Sequence, residues 1–129
     1  MEMKVKVHKR LFAVAKLKDL PSNDFFAVVK YDGVTVVLQE RELERVRDEV
    51  VECERGFRLL TFDATLPFDL VGFIARVSAA LAEKGVSVLV FSSYSTDHIL
   101  VRDKDLGKAL NALKGMGFDV DETDVVGAG

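Results

Sequence analysis

Between Phe57 and about residue 121 the apolar period of the chain switches repeatedly between two and roughly 3.6, and that rhythm constrains the fold more than any other feature. FRLLTFDAT (57–65) reads as a strand. Leu70, Val71, Ile74, Val77 and Leu81 then recur at helical spacing up to Gly85, which stands where a helix C-cap belongs, and Asp69 is placed to cap the start. VSVLVFSS (86–93) and HILV (98–101) follow as strands. Asp103 opens a second amphipathic helix with Leu106, Leu110 and Leu113 on one face, closed by Gly115 and Gly117, and Phe118 to Val120 make a last short strand. The order β-α-β-β-α-β predicts a split βαβ unit, with two helices covering one face of a four-stranded antiparallel sheet.

The first half is mostly sheet. LFAVAKL (11–17) and DFFAVVKY (24–31) read as strands joined by a loop holding Pro21, Ser22 and Asn23. Asp32-Gly33 then separates the second run from VTVVLQE, a two-residue hairpin signal, because both positions must tolerate positive φ. ERELERVRDE (40–49) has apolar residues only at Leu43 and Val46 and reads as one exposed helix of two or three turns, its charges a solvated face. The gap from Lys18 to Asp24 is too short for a first helix, so this half predicts a reduced copy of the same unit. The expected class is α+β: residues 1–56 a reduced ferredoxin-like unit, 57–123 a complete one, and 124–129 a flexible tail.

Composition narrows the function classes. With 129 residues, 49% of them hydrophobic, the chain can bury a sizeable core. A net charge of −3, with no Lys/Arg excess on one segment, argues against nucleic acid as a partner. The single cysteine, Cys53, cannot form an internal disulfide and fits a reducing cytoplasm; its neighbours Glu52 and Glu54 should raise its thiol pKa, so a plain half-buried cysteine is expected. No signal peptide or membrane span is legible. His8 and His98 are far apart in sequence, no residue cluster has metal-ligand spacing, and no Gly-rich phosphate loop occurs, so no metal or cofactor is implied. Ser95, Asp97 and His98 resemble a triad only on paper, since residues so close along a strand or turn diverge. An acylphosphatase-like enzyme would need an arginine in a phosphate-cradling loop, and neither ATLPFD nor KLKDLPSND supplies one. No enzyme activity is expected.

Two polar segments do converge in a split βαβ unit. ATLPFDLVGF (64–73) leads into the first helix, whose free N–H groups and dipole favour an anion, and FSSYSTDH (91–98) leaves the neighbouring strand at the same edge. A carboxylate on the amides of Leu70 to Gly72 and an ammonium on Asp97 would describe an α-amino acid. The residues alone equally allow Asp69 to act only as a cap, Gly72 only as a packing position and SSYSTD only as a hairpin connection.

Residues 57–120 resemble an ACT domain. LPFDLVGFIARVSAALAEKGVSV paired with FSSYSTDHILV is similar to short tandem-ACT proteins related to aspartokinase regulatory domains and the cytosolic arginine sensors, and FFAVVKYDGVTVVLQE is similar to their shorter N-terminal unit. The resemblance implies a small-molecule regulatory module whose effector, an amino acid, lies against Phe68, Asp69, Leu70, Val71, Gly72 and Phe73 and against Ser93, Tyr94, Thr96 and Asp97. Where the arginine-sensing branch carries an extra acidic residue before the glycine, this chain has Leu70 and Val71, so arginine itself is not implied. It further implies pairing of units edge to edge in a homodimer, with any signal passing to a separate regulated protein. The alternative is a dimerisation or protein-interaction module with no small-molecule ligand.

Overall fold

The two longest strands among the described residues are β1 (Lys4–Leu17) and β4 (Val50–Phe62), and β4 buries side chains only from Phe57 onward. In the computed structural model, which describes residues 3–63 and 72–123, the intervening elements are β2 (Ala27–Lys30), β3 (Val34–Gln39) and the one-turn helix α1 (Leu43–Val46). After β4 come α2 (Phe73–Glu83), β5 (Val88–Ser92), β6 (Asp97–Arg102), α3 (Leu106–Gly115) and β7 (Asp119–Thr123). Contacts divide the chain into a C-terminal unit, residues up to Lys9 with Arg58–Thr123, and an N-terminal unit, Arg10–Phe57; β1 and β4 each run through both.

The C-terminal unit has the β-α-β-β-α-β order that its hydrophobic rhythm predicts. Val5 and Val7 of β1, Leu60 and Phe62 of β4, and Ile99 and Val101 of β6 alternate onto one face, where Val77 and Leu81 of α2 and Ala109 and Leu113 of α3 pack against them. Burying a Leu or Phe side chain completely stabilises by about 1.5–3 kcal/mol. α2 ends because Gly85 takes φ 73°, which lets the Val86 amide reach back to the Leu81 carbonyl at 3.0 Å.

Its sheet differs from the expected one. The strand order is β7-β1-β4-β6-β5, so β7 does not lie beside β4. It pairs in parallel with Lys4 to His8 of β1, and the Asp119 amide donates to the Met3 carbonyl at 2.8 Å. The sequence reading assigns the first residues to the N-terminal unit, whereas this pairing places them in the C-terminal sheet. Strand partners so distant in sequence leave no local signal.

In the N-terminal unit the strand order is β2-β3-β1-β4. The β2–β3 hairpin is present, with Asp32 at φ 51° and Gly33 at φ 92°. The pairing of Lys30 with Val34 makes its loop three residues long, so Tyr31 joins the two positive-φ positions. The segment 40–49 is not one continuous helix. 3₁₀ turns at Glu40–Glu42 and Arg47–Glu49 flank α1, which buries Leu43 and Val46 over Ala13, Ala15, Leu17, Val34, Val36 and Leu38. Two apolar residues in ten anchor little more than one turn to the sheet. The tail 124–129 lies outside the described residues.

Candidate functional site

The polar stretch 92–97 forms the connection between β5 and β6. Ser92 and Asp97 are the last paired residues of the two strands, and the Ser92 hydroxyl donates to the Asp97 carboxylate at 2.5 Å. The Ser93 amide closes the turn on the Thr96 carbonyl at 2.9 Å. Tyr94 points outward and is 93% exposed. Thr96 turns the other way, and its hydroxyl donates to the carbonyl of Phe62, the last residue of β4.

Phe62 links this turn to the start of α2. Its ring meets Phe73 edge-on at a centroid distance of 5.4 Å, and Phe118 lies 5.4 Å from Phe62 and 6.0 Å from Phe73. Gly72 is the N-cap, in the left-handed region at φ 75°, and its carbonyl accepts the Arg76 amide at 2.9 Å. Of the ten residues expected to line a site, Gly72, Phe73, Ser93, Thr96 and Asp97 thus lie on segments tied to the end of β4. Phe73 packs into the hydrophobic core, and Tyr94 is turned to solvent. Phe68, Asp69, Leu70 and Val71, with the capping role expected of Asp69, lie outside the described residues.

A second constellation lies behind the turn, and sequence reading separates its members. His8 and His98 are each 5% exposed. Thr61 joins them: its Oγ1 is 2.9 Å from Nε2 of His8 and 2.9 Å from Nδ1 of His98. On its other side, His98 Nε2 is 3.0 Å from the Ser93 hydroxyl, which in turn points at the Thr96 carbonyl at 3.3 Å. If Ser93 donates to Thr96, His98 Nε2 must carry the hydrogen, Nδ1 must accept from Thr61, and Thr61 must accept from His8. Every group in the row is then satisfied with His98 neutral. Burial and the neighbouring His8 depress the His98 pKa to about 4, with Asp97 opposing the shift.

The position of His8 was recoverable from one local signal. In KVKVHKR (4–10) the alternation sends Val5 and Val7 to the helix-covered face and His8 to the opposite one. Arg58 also fixes this region, reaching the His8 carbonyl at 3.2 Å and the Asp103 carboxylate at 3.2 Å. Ser95, the serine of the paper triad, is exposed in the turn, and Ser93 takes its place beside His98.

Elsewhere, Cys53 is exposed rather than half-buried. Its thiol pKa is raised chiefly by desolvation, with Arg55 opposing and Glu40 and Glu54 adding to the rise; Glu52 is not among the causes. Among the described residues no group of His, Cys, Asp and Glu could hold a metal ion, and no helix is long and apolar enough to cross a membrane.

The two helices over one sheet face, with a polar turn tied to the strand that precedes the first helix, define an α+β module of the ferredoxin-like kind. Residues 52–115, from β4 to the end of α3, match the ACT domain family model, which makes this segment of the chain an ACT domain. Among solved structures it is similar to a protein from Agrobacterium tumefaciens (22% identity, TM-score 0.80, covering 100% of this chain and 99% of that one). It is also similar to a protein of unknown function from Vibrio cholerae described as a possible transport protein (24%, TM-score 0.75, covering 88% and 89%). A third similar structure is the regulatory subunit of aspartate kinase from Thermus thermophilus (12%, TM-score 0.60, covering 86% and 95%). At these identities the likeness concerns the fold. No curated protein matches the chain.

Proposed function

We propose that this protein is a non-catalytic regulatory module of the cytoplasm that binds a small-molecule effector, an amino acid, and passes the signal to a separate protein. The observation that carries this reading is the ACT domain match over 52–115, which contains both the start of α2 and the 92–97 turn. The structural likeness to an aspartate kinase regulatory subunit supports it. In this reading Phe68 to Phe73 and Ser93, Tyr94, Thr96 and Asp97 line the site, with the backbone amides ahead of α2 taking a carboxylate and Asp97 taking an ammonium. Two ACT-like units make up the chain, the N-terminal one reduced, and edge-to-edge pairing builds a homodimer. Ligand binding regulates only through a difference in affinity between two arrangements of the units.

An interaction module without a ligand is the second reading. The observation in its favour is the exposure of Leu89 and Val90 on β5, the strand that ends the C-terminal sheet order.

A thermal-shift screen against the twenty amino acids separates the two. A ligand present at 100 times its Kd and bound only by the native state stabilises by about 2.7 kcal/mol, which raises Tm by several degrees. The expected outcome is one or a few amino acids that raise Tm, with the shift lost in Asp97→Ala. If none of the twenty moves the transition, the amino-acid reading fails and the interaction module takes its place.

A further inference from the structure

One strand-to-helix joint occurs twice in the chain. β3 ends at Gln39 and runs into Glu40-Arg41-Glu42-Leu43, and β6 ends at Arg102 and runs into Asp103-Lys104-Asp105-Leu106, so each strand is followed by acid, base, acid and leucine. The backbone repeats with the sequence. Gln39 (φ −63°, ψ 139°) and Arg102 (φ −64°, ψ 141°) are extended, a 3₁₀ turn follows at Glu40–Glu42 and at Asp103–Asp105, and Leu43 and Leu106 open α1 and α3. Glu40 and Asp103 are therefore equivalent residues of the two units.

Acids at the start of a helix are favoured by its dipole, and that alone accounts for the charges. It does not account for where the two carboxylates go, since each reaches out of its own turn to β4. Glu40 Oε2 accepts from the amide of Gly56 at 2.6 Å, and Asp103 Oδ1 accepts from the guanidinium of Arg58 at 3.2 Å. Gly56 and Arg58 flank Phe57, the residue at which β4 leaves the N-terminal unit to enter the C-terminal one. Little of β4 is packed ahead of that point. Val51 to Arg55 are all exposed, and Gly56 sits at φ 82° with nothing within 4 Å of where a Cβ would stand, so the glycine answers to backbone conformation and not to packing. Beyond it, Arg58 carries the hold on to β1 through the His8 carbonyl. Hydrogen bonds to ionised groups are the stronger class, and here they fall on the least packed part of a strand that both units share.

From this repeated contact we infer that Glu40 and Asp103 are a pair of clasps on β4 where it passes from one unit into the next, so that releasing the strand in one unit loosens it in the other. β4 is then a physical element through which a change in one unit reaches its neighbour. None of these residues belongs to the effector site of the C-terminal unit, so this inference and that reading can fail separately.

The test is native-state amide exchange of the ¹⁵N-labelled full chain carrying Glu40→Ala or Asp103→Ala, with Glu44→Ala, an exposed acid of α1, as the control for lost charge. Exchange along β4 should quicken by about tenfold in Glu40→Ala, the loss of one charged hydrogen bond read as local opening, and by less for the more exposed Asp103. In both variants the rise should span Phe57, at Arg55 and Leu59 alike, and exceed the rise at Leu81 in α2. The inference is overturned if the rise stops at Phe57 on the variant's own side, if it is no larger than at Leu81 and so reports global destabilisation, or if Glu44→Ala reproduces it. Should Glu40→Ala fail to fold, Asp103→Ala, on a side chain 56% exposed, still decides the matter through the Arg55 amide.

Discussion

The C-terminal and N-terminal units each lay helical residues over a sheet, but they close their cores to different degrees. In the first, α2 and α3 contribute Val77, Leu81, Ala109, Ala112 and Leu113 to a cluster of thirteen buried residues. In the second, a single turn contributes Leu43 and Val46 to a cluster of eight. Both have polar groups beyond the core, and the C-terminal unit buries two histidines in a satisfied row. Neither interior is fully paired, since Arg58 Nε in the first and Asn23 Nδ2, Gln39 Oε1 and Glu42 Oε1 in the second are buried without a hydrogen-bond partner.

The largest effect that would test this contrast is cavity creation. Leu81 is 0% exposed between α2 and the sheet, and Leu43 is 5% exposed under a one-turn helix. Leu→Ala in a core costs about 2–5 kcal/mol depending on how far the surroundings collapse. Leu81→Ala should lie in the upper half of that range and Leu43→Ala in the lower, because a helix of one turn can settle into the space. Urea unfolding of both variants measures the difference, and equal losses would erase the contrast between the cores.

Much of this is legible in the sequence. The heptad-like spacing of Ile74, Val77 and Leu81, the terminating Gly85 and the Asp32-Gly33 turn are local signals, and local physics reproduces them. The β7–β1 pairing was not legible, because two strands more than a hundred residues apart carry no mark of partnership. Shorter but still non-local separations, of 53 and 37 residues, hid the His8–Thr61–His98 row, although strand alternation already placed His8 away from the core face. The 40–49 segment failed for another reason. Its charge pairs promise a helix, yet with Leu43 and Val46 as its only core anchors it breaks into 3₁₀ turns on both sides. Of the candidate site, the polar turn was legible as a turn; the inward orientation of Thr96 and the outward one of Tyr94 depend on strand register.

The next effect in size concerns the buried row. Thr61→Val keeps the shape but deprives nitrogens of both histidines of their shared partner, at about 2 kcal/mol. His98 adds a pH dependence. Its folded pKa of about 4 lies below the ordinary value of 6.5, so between these values the unfolded chain binds the proton that the folded one excludes. The stability cost is absent above pH 6.5, grows as pH falls through that window, and is complete below pH 4. Allowing for solvent screening it amounts to about 2 kcal/mol. Comparing urea unfolding at pH 7 and pH 4.5 for the wild type and His98→Gln isolates this contribution from the carboxylates. The variant should lose less stability on acidification, and parallel profiles would mean that His98 takes up its proton in the folded state without penalty.

The smallest effects come from ion pairs, and they sharpen the same contrast. In the N-terminal unit Arg47 pairs with Glu44 on side chains 69% and 75% exposed. Water and salt screen such a pair, so Glu44→Gln should change stability by less than about 0.5 kcal/mol. In the C-terminal unit the Arg58 side chain is only 18% exposed, and it holds Asp103 at 3.2 Å while also donating to the His8 carbonyl. Asp103→Asn should cost about 1 kcal/mol, the upper end for a partly exposed pair, because the guanidinium stays where the His8 carbonyl and the sheet fix it. Its cost should also persist at 0.5 M salt, while that of Glu44→Gln should disappear. Equal and equally salt-sensitive losses would show that Arg58 is solvated like any surface arginine, and that His8 is held by Thr61 and its strand pairing alone.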